Sequence, residues 1–319
     1  MTSNHTSRLF KRVIMESGSP IMLNFFFTRS DDSADKFVKV MNCSQTADSE
    51  ATSDQEPDMT TAETSVRTTA SAADASLEER LFQRRRAREV RCLKSKSMEE
   101  MLRGQRNMRH VAFPFTPSPL ERLLPVMPFD ALSAERGTPA YWDTFNHVND
   151  VLIGSNQDEA SVVLHLEAPE VFKTHEVLLN FTTLEGLKDF VINQLSKEFS
   201  IDEQTAILFT NLFFNRGPET DTTLNLVRRL YRIVGDLAFV CPVVAFADGM
   251  KSRGKRVYQY EFAYRNSISP WGEWMGVTHG DEYIFTFGHP LRYPDKYSQD
   301  DITMSRRMID IWSTFATSG

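Results

Sequence analysis

Two stretches of the chain hold residue types that can move protons. The first, VLIGSNQDEASVVL, is an apolar run that stops at Gly154 and enters a polar turn holding Asp158 and Glu159. The second, SPWGEWMGVTHGDEYIFTFGHPL, is a Trp- and Gly-rich loop in which His279 stands between Thr278 and Gly280. A carboxylate can fix the tautomer of an imidazole and stabilise the imidazolium, and the imidazole can then take a proton from a nucleophile. An acid after one strand and a His after a later strand is the second half of the chain order Ser…Asp/Glu…His. Spacing alone is weak support, because a lone carboxylate and a lone histidine also serve as a helix cap and a surface group.

That chemistry needs both groups at the carboxyl ends of strands in an open α/β sheet. Val148–Gly154 reads as a buried strand and Val257–Tyr264 as a second, with a short strand-like run, VIME, near the start. A helix is predicted over 31–42, where Ala34, Phe37, Val38 and Met41 recur as i, i+3, i+4, i+7. Further helices are predicted over about 184–197, 202–214 and 221–249. The end of the chain, SRRMIDIWSTFATSG, reads as an amphipathic helix, with Met304, Met308, Ile311, Trp312 and Phe315 at helical spacing. Strands interleaved with helices fit an α/β layered fold rather than an all-helical one.

Composition narrows the function. The 319 residues carry 36 Lys+Arg against 43 Asp+Glu, and the net charge of −7 argues against a nucleic-acid partner. Three cysteines without CxxC spacing exclude a zinc ribbon, and no metal or cofactor motif stands out. The N-terminus lacks the apolar core of a signal peptide. The longest apolar stretch, Ile233–Ala247, contains Asp236 and Pro242 and is too short for a transmembrane segment, so a buried, proline-kinked helix is expected there. Residues 44–76 are rich in Ser, Thr, Ala and acids, with seven acids and one Arg. Such a segment buries too little to offset its ordering entropy, and an insertion over 44–90 is predicted to be disordered. The following stretch to 109 reverses sign, and its run Arg84-Arg85-Arg86-Ala87-Arg88 is read as a solvated helix face.

Five segments taken together, FKRVIMESGSP, VLIGSNQDEAS, GDLAFVCPVVAFAD, PWGEWMGVTHGDEYIFTFGHPL and SRRMIDIWSTFATSG, resemble the cholinesterase/type-B carboxylesterase family in the same order along the chain. The run Trp-x-Glu-Trp-Met-Gly-Val-x-His-Gly is acetylcholinesterase-like. The resemblance implies an α/β-hydrolase fold, a small carboxylic or choline ester as substrate, and ester hydrolysis through an acyl-serine. It implies Glu159 as the acid and His279 as the general base of a triad. It assigns Phe113 and Phe115 to an acyl-pocket wall, and Trp271 and Trp274 to lining or supporting an aromatic gorge that attracts quaternary ammonium. It also implies a Cys43–Cys92 disulfide, a partner for Cys241 beyond Gly319, a structural role for Asp236, and an extracellular setting. Three sequons, at Asn4, Asn42 and Asn180, agree weakly with secretion.

The departures matter as much. No Gly-x-Ser-x-Gly elbow occurs in the chain. The SGSP at 17–20 matches the family segment after the elbow and is not expected to form the strained turn that exposes a nucleophile. The expectation is an incomplete α/β-hydrolase domain, the C-terminal portion, without the first strands, the elbow or the oxyanion loop, and inactive alone. Val162, Val163 and Leu166 stand where cholinesterases carry aromatic residues, and Asp281 follows His279-Gly280 where they commonly carry an aromatic. Choline specificity is therefore set beside general ester hydrolysis. The alternatives are a non-catalytic adhesion relative of the neuroligin kind and a truncated product without function.

Overall fold

Strands β1 (Arg12–Glu16), β2 (Asp150–Asn156) and β3 (Arg256–Phe262) form one parallel sheet in the order β1-β2-β3. The computed structural model describes residues 9–22, 30–44, 72–108, 127–135, 145, 147–167, 169, 171–177, 183–199, 201–214 and 222–319. The chain divides into two units, residues 1–28 with 117–319, and residues 29–116.

The larger unit holds the sheet. All of β2 is buried, as expected for a central parallel strand covered on both faces. Its side chains alternate between those faces. Val151 and Ile153 enter a core with Val13, Met15 and Val257. Helices α4 (Pro128–Ser133) and α9 (Cys241–Ser252) complete that core through Ala131, Leu132, Val243, Phe246 and Met250. On the other face Tyr258 meets Phe315 at 6.0 Å and Tyr260 meets Trp312 at 5.2 Å, both on the terminal helix α12 (Gln299–Ser318).

Between β2 and β3 run α5 (Ala160–Glu167), α6 (Leu184–Phe199), α7 (Glu203–Phe214) and α8 (Thr223–Gly235). They share an apolar cluster built on Phe172, Leu187, Phe214, Leu230 and Tyr231. α8 passes through a π-helical turn, Asp236–Val240, into α9, whose first turn holds Pro242. Pro242 lies inside a continuous run and offers no N–H to its hydrogen-bond ladder, and the π-helical turn just before it is the kind of irregularity that accompanies such a break. Thr223–Ser252 is thus a 30-residue helical run, long and apolar enough by composition to cross a membrane. In the fold 56% of its most apolar window is buried, as in the core helix expected from its sequence. Two short helices, α10 (Tyr283–Thr286) and α11 (His289–Arg292), precede α12.

The smaller unit contains α1 (Ser30–Val40), α2 (Ala72–Lys94) and α3 (Met98–Arg106). A Cys43–Cys92 disulfide spans a sequence separation of 49 and joins a small core of Phe37, Val38, Met41 and Met108. The 23-residue α2 corrects the disorder expected over 44–90, at least from residue 72 onward; residues 45–71 lie outside the described residues. Its Ala, Leu, Glu and Arg residues are good helix formers. One of the arginines, Arg86, is anchored to Asp35 at 2.5 Å and Glu89 at 3.1 Å. Arg84, Arg85 and Arg88 are exposed.

Candidate active site

Glu159 closes the turn between β2 and α5 and is 2% exposed. Its Oε1 accepts the backbone N–H of Asn156 at 2.7 Å, and its Oε2 lies 2.7 Å from His279 Nδ1. One carboxylate oxygen is therefore fixed by the main chain while the other faces the ring. A proton on Nδ1 donates to Glu159 and leaves Nε2 as the acceptor. The His279 side chain is 43% exposed, so the ring bridges a buried carboxylate and an open surface. Burial pushes the imidazole pKa down. The hydrogen bond to Glu159 and the charges of Glu159 and Glu282 more than reverse this, and the net shift is upward. Phe239, from the π-helical turn, lies 4.9 Å from the ring.

Two loops far apart in sequence are stitched together beneath this pair. Asp158 N–H donates to the Val277 carbonyl, and Val277 N–H donates to Asp158 Oδ2, both at 2.9 Å. Val162 N–H donates to Thr278 Oγ1 at 3.0 Å. Asn156 Nδ2 donates to the Thr278 carbonyl at 2.8 Å and to the Glu282 carboxylate. The His279 loop reaches these partners through two glycines at positive φ, Gly276 at φ +63° and Gly280 at φ +87°. A Cβ on Gly276 would collide with the Asp158 carboxylate.

The site is rich in buried acids. Burial raises the Asp281 carboxyl to about 6 despite the Thr278 N–H it accepts and the nearby Arg265 guanidinium. Burial also raises Glu282, opposed by the Asn156 amide. On the neighbouring strand, Glu16 accepts Trp312 Nε1 at 2.8 Å and Thr286 Oγ1 at 3.3 Å. Burial drives the Tyr260 phenol upward, and the charges of Glu16, Glu282 and Glu159 add to this. Asn156, Thr278 and Glu282 were not sequence candidates, and Asp158 was noted only as the acid beside Glu159. The available signals were Asn-x-Asp-Glu directly after a strand and the acids two and three residues after His279.

The remaining candidates fall in different places. Trp274 is buried against Phe172, stacked at 6.1 Å, with Nε1 donating to the Lys173 and Thr174 carbonyls at 3.2 Å. Trp271 meets His165 edge-on at 6.1 Å. Both tryptophans belong to the helical cluster, in packing positions. Phe113 and Phe115 lie outside the described residues. Val162 is buried, Val163 half-buried and Leu166 exposed. Cys241 is exposed, not the buried thiol of an apolar helix, and forms no disulfide among the described residues; partial desolvation and the charge of Asp236 raise its thiol pKa. Ser17 does occupy a strained backbone, at φ +51°, which the sequence did not predict. Its hydroxyl is nonetheless buried and without a hydrogen-bond partner among the described residues, while Ser19 Oγ donates to the Pro242 carbonyl at 3.1 Å.

An acid after the central strand of a parallel sheet and a hydrogen-bonded His after the next follow the chain order of the α/β-hydrolase class. The family model described as "Carboxylesterase family" matches residues 1–319, and the chain belongs to that family. It is 34% identical over 209 residues to an acetylcholinesterase of Leptinotarsa decemlineata, a match covering 66% of this chain and 31% of that protein. An acetylcholinesterase of Bungarus fasciatus is 32% identical over 235 residues, covering 72% and 36%. A cholinesterase of Mus musculus is 28% identical over 239 residues, again covering 72% and 36%. The chain thus spans about a third of the length of these relatives.

Proposed function

We propose that this chain supplies the acid and the base of a Ser-Glu-His triad in a carboxylic-ester hydrolase, with the serine contributed from outside these 319 residues. The observation that carries this is the Glu159–His279 contact at 2.7 Å, with the second Glu159 oxygen held by a main-chain N–H. In the reaction, His279 Nε2 takes the proton of the serine hydroxyl as that oxygen attacks the ester carbonyl. Glu159 stabilises the imidazolium, which returns the proton to the departing alcohol. Water then repeats the sequence on the acyl-enzyme. Removing a triad member leaves little more than the contribution of binding and the oxyanion hole. The chain alone should therefore turn over no ester, and 1–319 is read as the later portion of one carboxylesterase domain.

The substrate is a small carboxylic ester. The names of the relatives favour a choline ester, whereas Val162, Val163, Leu166 and Asp281 favour a broader ester range. The Cys43–Cys92 disulfide supports an oxidising, extracellular setting, in which the sequon at Asn42 would be open to glycosylation. The test is covalent labelling of the native polypeptide with an organophosphonate. A serine adduct that disappears in His279→Ala is the expected result; no adduct on any serine counts against a serine hydrolase. Ester turnover by the 319-residue chain itself, abolished by His279→Ala, would contradict the assignment of the nucleophile to another segment.

A further inference from the structure

We propose that Asn156 is a positioning residue that locks the Glu159–His279 pair by tying the turn after β2 to the loop that carries the base; this rests on the triad reading above. Its main chain holds the acid, through N–H to Glu159 Oε1 at 2.7 Å. Its side chain holds the base's loop, through Nδ2 to the carbonyl of Thr278 at 2.8 Å, one residue before His279. The second amide proton goes to Glu282, three residues after His279. One residue therefore grips the acid directly and the imidazole's chain segment on both sides.

The orientation of the amide follows from its neighbours. Both partners of Nδ2 are pure acceptors, so a flipped amide would set Oδ1 against a carbonyl and a carboxylate. In the donating orientation Oδ1 is buried and has no hydrogen-bond partner among the described residues. Asn156 is 1% exposed, so bulk water does not relieve that atom. A leucine of similar shape would avoid stranding an acceptor. What it could not do is donate to Thr278 and Glu282, and those two bonds are what the asparagine supplies.

The other polar groups of Thr278 are already held. Its N–H donates to Asp281 Oδ2 at 3.1 Å, and its Oγ1 accepts from Val162. Its carbonyl accepts the Asp281 N–H at 3.1 Å within the same loop, and the Asn156 amide adds the one bond to it that comes from the turn after β2. Positioning of this kind matters because misplacing a reacting group by about 1 Å costs roughly a hundredfold in rate.

The test uses nuclear magnetic resonance of the 319-residue chain and needs no ester turnover. The low-field Nδ1 proton of His279 is assigned by its loss in His279→Ala, and the imidazole is titrated. In Asn156→Leu the resonance should broaden or vanish, and His279 should lose about threefold or more in proton affinity. Asn156→Asp keeps the shape while replacing the donor with an acceptor, and should lose the resonance at neutral pH even if the leucine variant fails to fold. If His279 in the unmodified chain ignores Glu159→Gln, the pair itself is gone and the proposal with it. If the pair is intact and folded Asn156 variants leave both resonance and titration unchanged, the proposal alone is overturned.

Discussion

Gly276→Ala and Gly280→Ala form a matched pair that measures the Asp158 clasp under the site. Both glycines sit at positive φ, +63° and +87°. An L-residue at positive φ costs about 1–2 kcal/mol in both variants, and Gly276, whose ψ of −132° lies outside the left-handed well, carries a further backbone penalty of about 1 kcal/mol or more that adds to the clasp. At Gly280 a Cβ meets nothing within 4 Å, and the penalty stops there. At Gly276 the Cβ collides with the Asp158 carboxylate, which also accepts the N–H of Val277, a residue 4% exposed. Displacing the carboxylate leaves that N–H buried and unpaired, and a hydrogen bond to a charged group is worth about 1.5–3 kcal/mol. Gly276→Ala should therefore be at least about 2 kcal/mol less stable than Gly280→Ala. With a urea slope of about 1–3 kcal/mol/M, the two midpoints should differ by roughly 1 M or more. The smaller unit's residues 29–116 contain no tryptophan, and Trp271, Trp274 and Trp312 lie in the sheet-bearing unit, so fluorescence reads that unit's unfolding. Midpoints that coincide, or a less stable Gly280→Ala, would refute the clasp.

Two further perturbations follow from groups outside the Glu–His pair. The Asp281 carboxyl, raised by burial from the ordinary aspartate range to about 6, binds protons more tightly folded than unfolded. Stability from this group therefore falls as pH rises from about 4 to about 6 and is level above that, a loss of up to about 3 kcal/mol. Asp281→Asn, which keeps an acceptor for Thr278 N–H, should flatten that part of a urea-midpoint-versus-pH curve; an unchanged curve would remove Asp281 as its source. In the smaller unit, Cys43→Ser with Cys92→Ser opens a loop whose closure contributes about 4 kcal/mol in the chain-entropy model. Its core is small, so amide-exchange protection should collapse in α1 and α3 while β2 keeps its own; full protection in the double variant would show that the bridge is dispensable.

The pattern of errors between sequence and structure is informative about what a sequence encodes. Strand β2 was expected to stop at Gly154 and instead runs to Asn156. Glycine was read as punctuation, whereas here it makes room for a neighbour: a Cβ would strike the Tyr260 ring on β3. Helix α12 begins at Gln299 rather than near 305, behind a Ser298/Asp301 capping box that was readable as Ser-x-x-Asp. Helix α2 was half legible: the run Arg84–Arg88 reads as a solvated helix face, but the Ser-, Thr- and acid-rich stretch before it hides the start of the helix, and its anchoring through Asp35 and Cys43 comes from elsewhere in the chain.

The same division applies to the site. Glu159 and His279 became candidates through the family resemblance of the segments around them, with chain order as weak support, and both signals are one-dimensional. The devices that hold the two residues are not. Asp158 meets Val277 across a sequence separation of 119, and Asn156 meets Thr278 across 122, so no window of periodicity contains both partners. What the sequence does carry is polar residues without a local use: an Asn and an Asp just before the acid, and two acids just after the His-Gly. In a loop each of these would be ordinary. Between a buried strand and a buried helix each must find a partner or leave a polar or charged group without one in a place that disfavours it. The two loops come together because satisfying those groups requires it, and the Glu159–His279 contact is positioned by that requirement.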